Sequence, residues 1–306
     1  MTANTLVIGG RSRVAQSLRR LYPGTCDFVS RPSSAAATPD EGGAAAHSTT
    51  ERTVRAYQDL GARDFEGYST VINLAGITRG TPEEMIAVNA ELPAKLAEAA
   101  AQAGVTRFIA LSSFSVFGGA EAIDRDTPLT PESAYGRSRH EGETMIARGA
   151  SELDCVLVRC PMLYGAGDSK LETLVRLWRR TGVLPIPAHS VNRSMLHYDL
   201  AARHLHETAC LAPRGAGLTM DHVADPVTFE YRMAANVLSE ASGRKLRTVT
   251  LPAFVLNLMS AAVPSVARSL YRDNVLDAEE NYFKDKSDSR LVQDLALMAT
   301  EGREAE

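Results

Sequence analysis

Two short stretches carry side chains able to move a proton. LSSFSVFG (111–118) supplies hydroxyls at Ser113 and Ser115, and SAYGRSRHEGE (133–143) sets the Tyr135 phenol four residues before Arg139. Residues four apart on a helix share a face, so phenol and guanidinium are expected side by side. A free phenol titrates near pH ~10, and a fixed cation beside it stabilises the phenolate. So placed, it can give a proton to an oxygen that gains negative charge and later recover it. Guanidinium is planar and effectively never deprotonated, so Arg139 supplies charge and hydrogen bonds but cannot join a proton relay. Ser113 and Ser115, two apart along an expected strand, should face one side. A third stretch, IGGRSRVA (8–15), sets small residues between a strand and a helix. Close backbone approach plus helix N-terminal donors makes such a turn a phosphate site, although an ordinary Gly-Gly turn explains it as well. His140 lies about 100° around the helix from Arg139 and reads as a partly exposed side chain outside the site.

These stretches need rigid elements to hold them. TLVI (5–8), VINLA (71–75), FIALSS (108–113) and CVLVRC (155–160) read as buried parallel strands. Between them, VAQSLRRLY, MIAVNAELPAKLAEAAAQAG and YGRSRHEGETMIARGA have helical spacing. Thr81-Pro82-Glu83-Glu84 is a capping box with proline at the first helical position, and Gly104 fits a helix C-terminus. The alternation predicts an α/β fold with a doubly wound parallel sheet. Residues 31–52, rich in Ala, Ser, Gly and Pro, are expected to form a flexible surface loop between the second and third strands. After about residue 165 the pattern loosens. Short strands at 193–199, 218–220 and 246–251, with helices near 199–211, 228–241 and 252–272, predict a smaller C-terminal lobe. A last helix is expected over 289–298 and a disordered tail at 299–306.

The 306 residues, 44% hydrophobic, suffice for one large α/β domain or one with a second lobe. A net charge of −4 gives no footprint for a nucleic acid. Five lysines stand against 28 arginines, which makes any single arginine weaker evidence. Cys26, Cys155, Cys160 and Cys210 lack metal or CxxC spacing, and no His/Asp/Glu cluster has it either, so no metal is expected. The longest apolar run, 253–263, is 11 residues between prolines, against about 20 for a membrane span. With no leader before the first strand, the expectation is a cytoplasmic protein with reduced thiols and no membrane partner.

In order and spacing, residues 5–210 resemble the extended short-chain dehydrogenase/reductase family of the NAD-dependent epimerase/dehydratase type, with YxxxR in place of its YxxxK. The resemblance implies a dinucleotide-binding Rossmann domain over 1–165 and a substrate lobe over 166–298 interleaved with it. It makes Tyr135 the acid/base, Ser113 the partner of the substrate oxygen, and Arg139 the cation that tunes the phenol and binds ribose, with Ser115 as a helper. The family's TGxxGxxG turn maps onto Gly9, Ser12 and Ala15. Implied cofactor contacts are Gly9, Arg11, Ser12, Arg13 and Val14 in that turn, and Ser30 and Arg31 at the end of the second strand. Asp59 and Leu60 would hold adenine; Leu74, Ala75 and Gly76 would make room for ribose and nicotinamide, with Asn89 in its usual place. VRCPMLYGAGD (158–168) resembles RPxxxYGxG, which puts Pro161, Met162 and Leu163 at the nicotinamide carboxamide. RSMLHYDLA (193–201) resembles R-x-F-x-H-x-x-D-x-A, slightly shortened, with Arg193 at a position that often binds a substrate diphosphate and His197 structural.

NAD-preferring members end the second strand in Asp or Glu. Here Ser30 and Arg31 stand there, and an arginine fork matches a 2′-phosphate, so NADP(H) is expected with NAD as the alternative. The expected reaction is carbonyl reduction or alcohol oxidation on a keto-sugar nucleotide or similar biosynthetic ketone. Met162, where nucleotide-sugar enzymes often have asparagine, gives an apolar substrate wall. Trp178 and 182–190 read as pocket lining or as ordinary packing. SSFSVFG lacks the acidic pair of dehydratases. An epimerase with tightly held NAD stays open, as does a dinucleotide-binding protein without redox turnover. A homodimer through helices 82–103 and 134–149 fits the family and their Ala, Leu and Met content.

Overall fold

The computed structural model describes residues 4–32, 50–149, 152–165, 170–244, 247–251 and 272–300. The chain forms two units, one of residues 1–118, 129–159 and 198–221, the other of 119–128, 160–197 and 222–306.

Among the described residues the first unit is built on seven strands. These are β1 (Thr5–Ile8), β2 (Cys26–Ser30), β3 (Glu51–Thr53), β4 (Thr70–Asn73), β5 (Arg107–Ser113), β6 (Asp154–Cys160) and β7 (Gly217–His222). The order is β7-β6-β5-β4-β1-β2-β3. β1 pairs in parallel with both β2 and β4, and β2–β3 and β4–β5 are parallel too. The chain therefore leaves β1 towards one edge and returns at β4 towards the other, and the turns after these two strands diverge. The four apolar runs form four of these strands, because residues buried on both faces of a sheet leave no polar alternation. Ile8, Val71, Phe108 and Leu96 lie in one buried cluster.

Several local features differ from the sequence expectation. β3 is short and fully exposed, so its Glu-Arg-Thr carries no apolar signal and falls at the end of the stretch read as loop; residues 33–49 of that stretch lie outside the described residues. The strand expected at 218–220 is not in the smaller lobe but extends the main sheet as β7, its Gly217 N–H donating to the Leu153 carbonyl at 3.0 Å. The long helix is broken. α2 (Pro82–Ile86), with its Thr81 capping box, runs into a π-helical turn over Ala87–Glu91 before α3 (Leu92–Gln102). Pro93 has no N–H to give the Asn89 carbonyl, and the ladder opens there.

Helices α1 (Arg13–Leu21), α4 (Ala134–Gly149) and α5 (Tyr198–Cys210) complete the unit; α5, like β7, was expected in the smaller lobe and belongs to the first unit instead. Buried Arg107 of β5 ties the end of α5 to the sheet. Its guanidinium meets Asp154 at 2.8 and 2.6 Å, and it also donates to the carbonyls of Thr208, Leu211 and Ala212 at the end of α5.

The second unit pairs Met162–Tyr164 with Met195–His197 and Val183–Pro187 with Arg247–Leu251, both in parallel. Helices Lys170–Thr181, Tyr231–Ser242 and Leu291–Thr300 pack around its own core. Trp178, 3% exposed, belongs to that core. The helix expected at 252–272, with the apolar run inside it, lies outside the described residues apart from its last residue, as does the tail from residue 301. Among the described residues no helix is long and apolar enough to cross a membrane.

Arg107→Ala leaves Asp154 buried and unpaired and three carbonyls without their donor. Urea denaturation is expected to show a loss of about 3–5 kcal/mol.

Candidate active site

The turn after β1 is shaped by what surrounds it. Gly9 has φ +89°, and a Cβ there would lie 2.9 Å from backbone atoms of Leu74 and Ala75, so only glycine fits. The Gly9 and Gly10 N–H groups both donate to the Val29 carbonyl at 3.0 Å. Ser12 caps α1, its hydroxyl accepting from the Ala15 N–H at 3.1 Å, and the first turn holds no acidic residue. Arg11 and Arg13 are exposed while Val14 and Ala15 are buried. Arg19 braces the turn from below: it donates to the Gly10 carbonyl, stacks 3.9 Å from the Phe28 ring centroid and pairs with Glu51 at 3.1 Å. A glycine turn, a helix N-terminus free of acid and two flanking arginines fit a diphosphate.

At the end of β2 the two expected contacts part. Ser30 is fully buried, and its hydroxyl donates to Glu51 at 2.8 Å. Arg31 is exposed, its guanidinium 5.3 Å from the Tyr57 ring centroid. Burial raises the Tyr57 phenol, while the Arg31 backbone N–H and the charges of Arg31 and Arg11 pull the other way. Tyr57 escaped the sequence reading because a lone tyrosine before a short 3-10 turn has no periodic signal. Next to it, Asp59 is exposed and Leu60 is in the core.

The phenol and cation do meet. Arg139 Nε donates to the Tyr135 hydroxyl at 3.3 Å, and its Nη1 donates to the Leu111 carbonyl at 3.2 Å. The guanidinium lies against the turn after β4: a Cβ on Gly76 would come within 2.4 Å of Nη2. Leu74 is half-buried and Ala75 buried in that turn. Ser113 and Ser115 also meet, their hydroxyls 3.1 Å apart. The reason differs from strand alternation: β5 ends at Ser113, and Ser115 sits in a 3-10 turn over Phe114–Phe117 whose N–H donates to the Ser113 hydroxyl at 3.2 Å.

What aims α4 was not read from the sequence. Glu143, eight residues past Tyr135 on the same face, accepts from Arg159 at 3.0 and 2.7 Å and from Ser112 at 2.5 Å, all buried. Asn89 is buried too, and its amide is engaged by protein. It accepts from the Ile77 N–H at 2.9 Å and donates to the Ile77 carbonyl at 2.8 Å and the Ser138 hydroxyl at 3.0 Å. Gly142 lets α4 press on this segment: a Cβ there would lie 2.4 Å from the Asn89 carbonyl oxygen. His140 is half-buried.

The remaining expected residues lie in the second unit. Pro161 is buried, and Met162 and Leu163, half-buried, sit on a strand paired with Met195–Leu196. Arg193 donates to the Arg272 carbonyl at 2.8 Å, and burial lowers its guanidinium against the pull of Tyr231 and Asp273. His197 pairs with Asp294 at 3.0 Å and packs edge-on to Tyr164. Among the described residues no group of three or more His, Cys, Asp or Glu is arranged for a metal.

The strand order and its reversal beside β1, with a glycine turn opening α1, define a Rossmann-type α/β protein. The chain belongs to the NAD dependent epimerase/dehydratase family, whose model matches residues 14–183. A curated relative, "Ceramide reductase" of Caulobacter vibrioides, is 32% identical over 141 residues, which is 46% of this chain. The matches span only about two fifths of the curated relatives' length, 40% and 39%. Among solved structures, UDP-glucuronic acid 4-epimerase from Bacillus cereus in complex with NAD is 16% identical. It superposes with a TM-score of 0.70 over 99% of this chain and 98% of its own. The dTDP-4-dehydrorhamnose reductase of Bacillus anthracis, in complex with NADP, is 15% identical, with a TM-score of 0.60 over 83% of this chain and 86% of its own. At these identities the structures share the fold.

Two glycine substitutions separate aim from packing. Gly76→Ala meets the movable end of Arg139 and should change stability by less than about 1 kcal/mol. Gly142→Ala meets a backbone carbonyl and should cost about 1–3 kcal/mol. Denaturation midpoints of the two variants check this.

Proposed function

We propose that the chain is an NADP(H)-dependent carbonyl reductase, or in reverse an alcohol dehydrogenase, acting in the cytoplasm on a keto-sugar nucleotide or a biosynthetic ketone of similar size. The observation that carries this reading is the Tyr135 hydroxyl 3.3 Å from Arg139 Nε. Tyr135 gives its proton to the substrate oxygen as charge develops there, Ser113 donates a hydrogen bond to that oxygen, and Arg139 stabilises the phenolate left behind. Ser115 orients the Ser113 hydroxyl. When bound, the dinucleotide supplies the two reducing electrons. Gly9 would leave room for its diphosphate, Ser12 and the α1 N-terminus would hold it, Asp59 would meet its adenine, and Arg139 its ribose hydroxyls. Asn89 acts by holding the turn that begins at Gly76.

NADP(H) is favoured by the exposed Arg31 beside the Tyr57 ring and by Arg11, exposed in the glycine turn. The nearby carboxylate, Glu51, is engaged by Arg19 and Ser30. Net reduction is favoured by a relative named as a reductase. Met162 gives an apolar substrate wall; a nucleotide diphosphate would need Arg193. An epimerase holding NAD is the second reading, motivated by the NAD-bound epimerase of the same fold. For a homodimer through α3 and α4, the support is an open groove of about 500 Å³ on those helices, lined in part by Glu91, Lys95, Glu98 and Met145.

Fluorescence titration should show NADPH binding at least ~10-fold tighter than NADH, about 1.4 kcal/mol. Arg31→Ala should erase that difference by weakening NADPH alone. Equal binding by the parent protein would remove the NADP(H) assignment, and NAD released on denaturation would favour the epimerase. In steady-state assays over a ketone panel, Tyr135→Phe should lower kcat by about 10²–10⁴-fold while NADPH still binds.

A further inference from the structure

At the C-terminal end of α1, opposite the glycine turn, lies a second group of reactive side chains. His206 and Cys210 sit one turn apart on α5, with Cys210 Sγ 3.7 Å from His206 Nε2. The imidazole is stacked on Tyr22, the residue that ends α1, with ring centroids 3.8 Å apart and planes 15° from parallel. A side chain free to turn would not keep a nitrogen on the sulfur; the stack fixes the ring plane. Partial burial lowers the His206 imidazole against the pull of Glu207, which favours the neutral ring, with one nitrogen able to accept a proton.

The other thiols are different. Cys26, Cys155 and Cys160 are buried and Cys210 is exposed. Burial raises the Cys26 thiol and pushes Cys155 up to about 12, which leaves little thiolate in either. One accessible thiol with a positioned base therefore stands apart from three inert ones.

We propose that Cys210, with His206 as its base, is a thiol-exchange site for small-molecule disulfides. His206 takes the thiol proton and the Cys210 thiolate attacks one sulfur of the disulfide. The new S–S bond forms as the old one breaks, and the departing thiolate recovers the proton from His206. Cys210 is oxidised, half of the small disulfide is reduced to a free thiol, and one mixed disulfide remains on the protein. Neither residue belongs to the Tyr135 site, so the proposal does not depend on the redox reading.

The test is intact-mass and peptide mass spectrometry of the folded full-length protein incubated with oxidised glutathione. A single adduct on Cys210, reversed by dithiothreitol and absent in Cys210→Ser, is expected. His206→Gln should slow its formation by at least ~10-fold with the circular dichroism spectrum unchanged. Tyr22→Leu, which keeps the imidazole and removes the stack, should give an intermediate rate. No adduct, equal labelling of the buried cysteines, an unchanged rate in both His206→Gln and Tyr22→Leu, or a Cys26–Cys210 disulfide without retained glutathione would each overturn the proposal.

Discussion

Under the phenol–cation pair, Glu143 of α4 meets Arg159 of β6 in the interior, with Ser112 of β5 completing the carboxylate's bonds. One element thereby joins two strands through charges that have nowhere else to go. Such a pair contributes little net stability against a hydrophobic replacement, because desolvation offsets the attraction, but every misplacement of α4 leaves a buried charge unpaired. The constraint is one of position. Tyr135, Arg139 and Glu143 are spaced by four along one face, so fixing the third fixes the direction of the first two.

The same logic extends to the parts that α4 touches. Small residues replace bulk where groups must approach closely: Gly142 against the Asn89 carbonyl, Gly76 against the Arg139 guanidinium, Gly9 against the turn after β4. Asn89 links these contacts, holding the Ile77 backbone with one end of its amide and Ser138 of α4 with the other. Asn89 itself lies in the π-helical turn at Ala87–Glu91. Arg139 carries a bulky planar head group, and the structure accommodates it by giving it the Leu111 carbonyl and an open space over glycine.

Some of this was legible beforehand. β1 matches its expected bounds, β4, β5 and β6 differ by one or two residues, and the Thr81 cap is as expected, because continuous apolar runs and capping chemistry are local signals. β3 was not legible: three exposed polar residues become a strand only because β2 offers an unpaired edge. β7 was assigned to the wrong lobe because strand patterns do not say which sheet they join. Arg107, in an arginine-rich chain, looked like any other arginine and is instead almost wholly buried.

The sequence by itself determined the alternation of strands and helices, the family resemblance and the side chains Ser113, Tyr135 and Arg139, since each rests on residue type and spacing along one element. The tertiary structure alone decided that Ser30 is sealed beneath Gly10 while Arg31 faces Tyr57, that Asn89 is engaged by backbone, and that Glu143 and Arg159 aim the helix. These pairs are 12 to 26 residues apart or join different elements, and which groups meet there is set by sheet order and close packing, which no local pattern encodes.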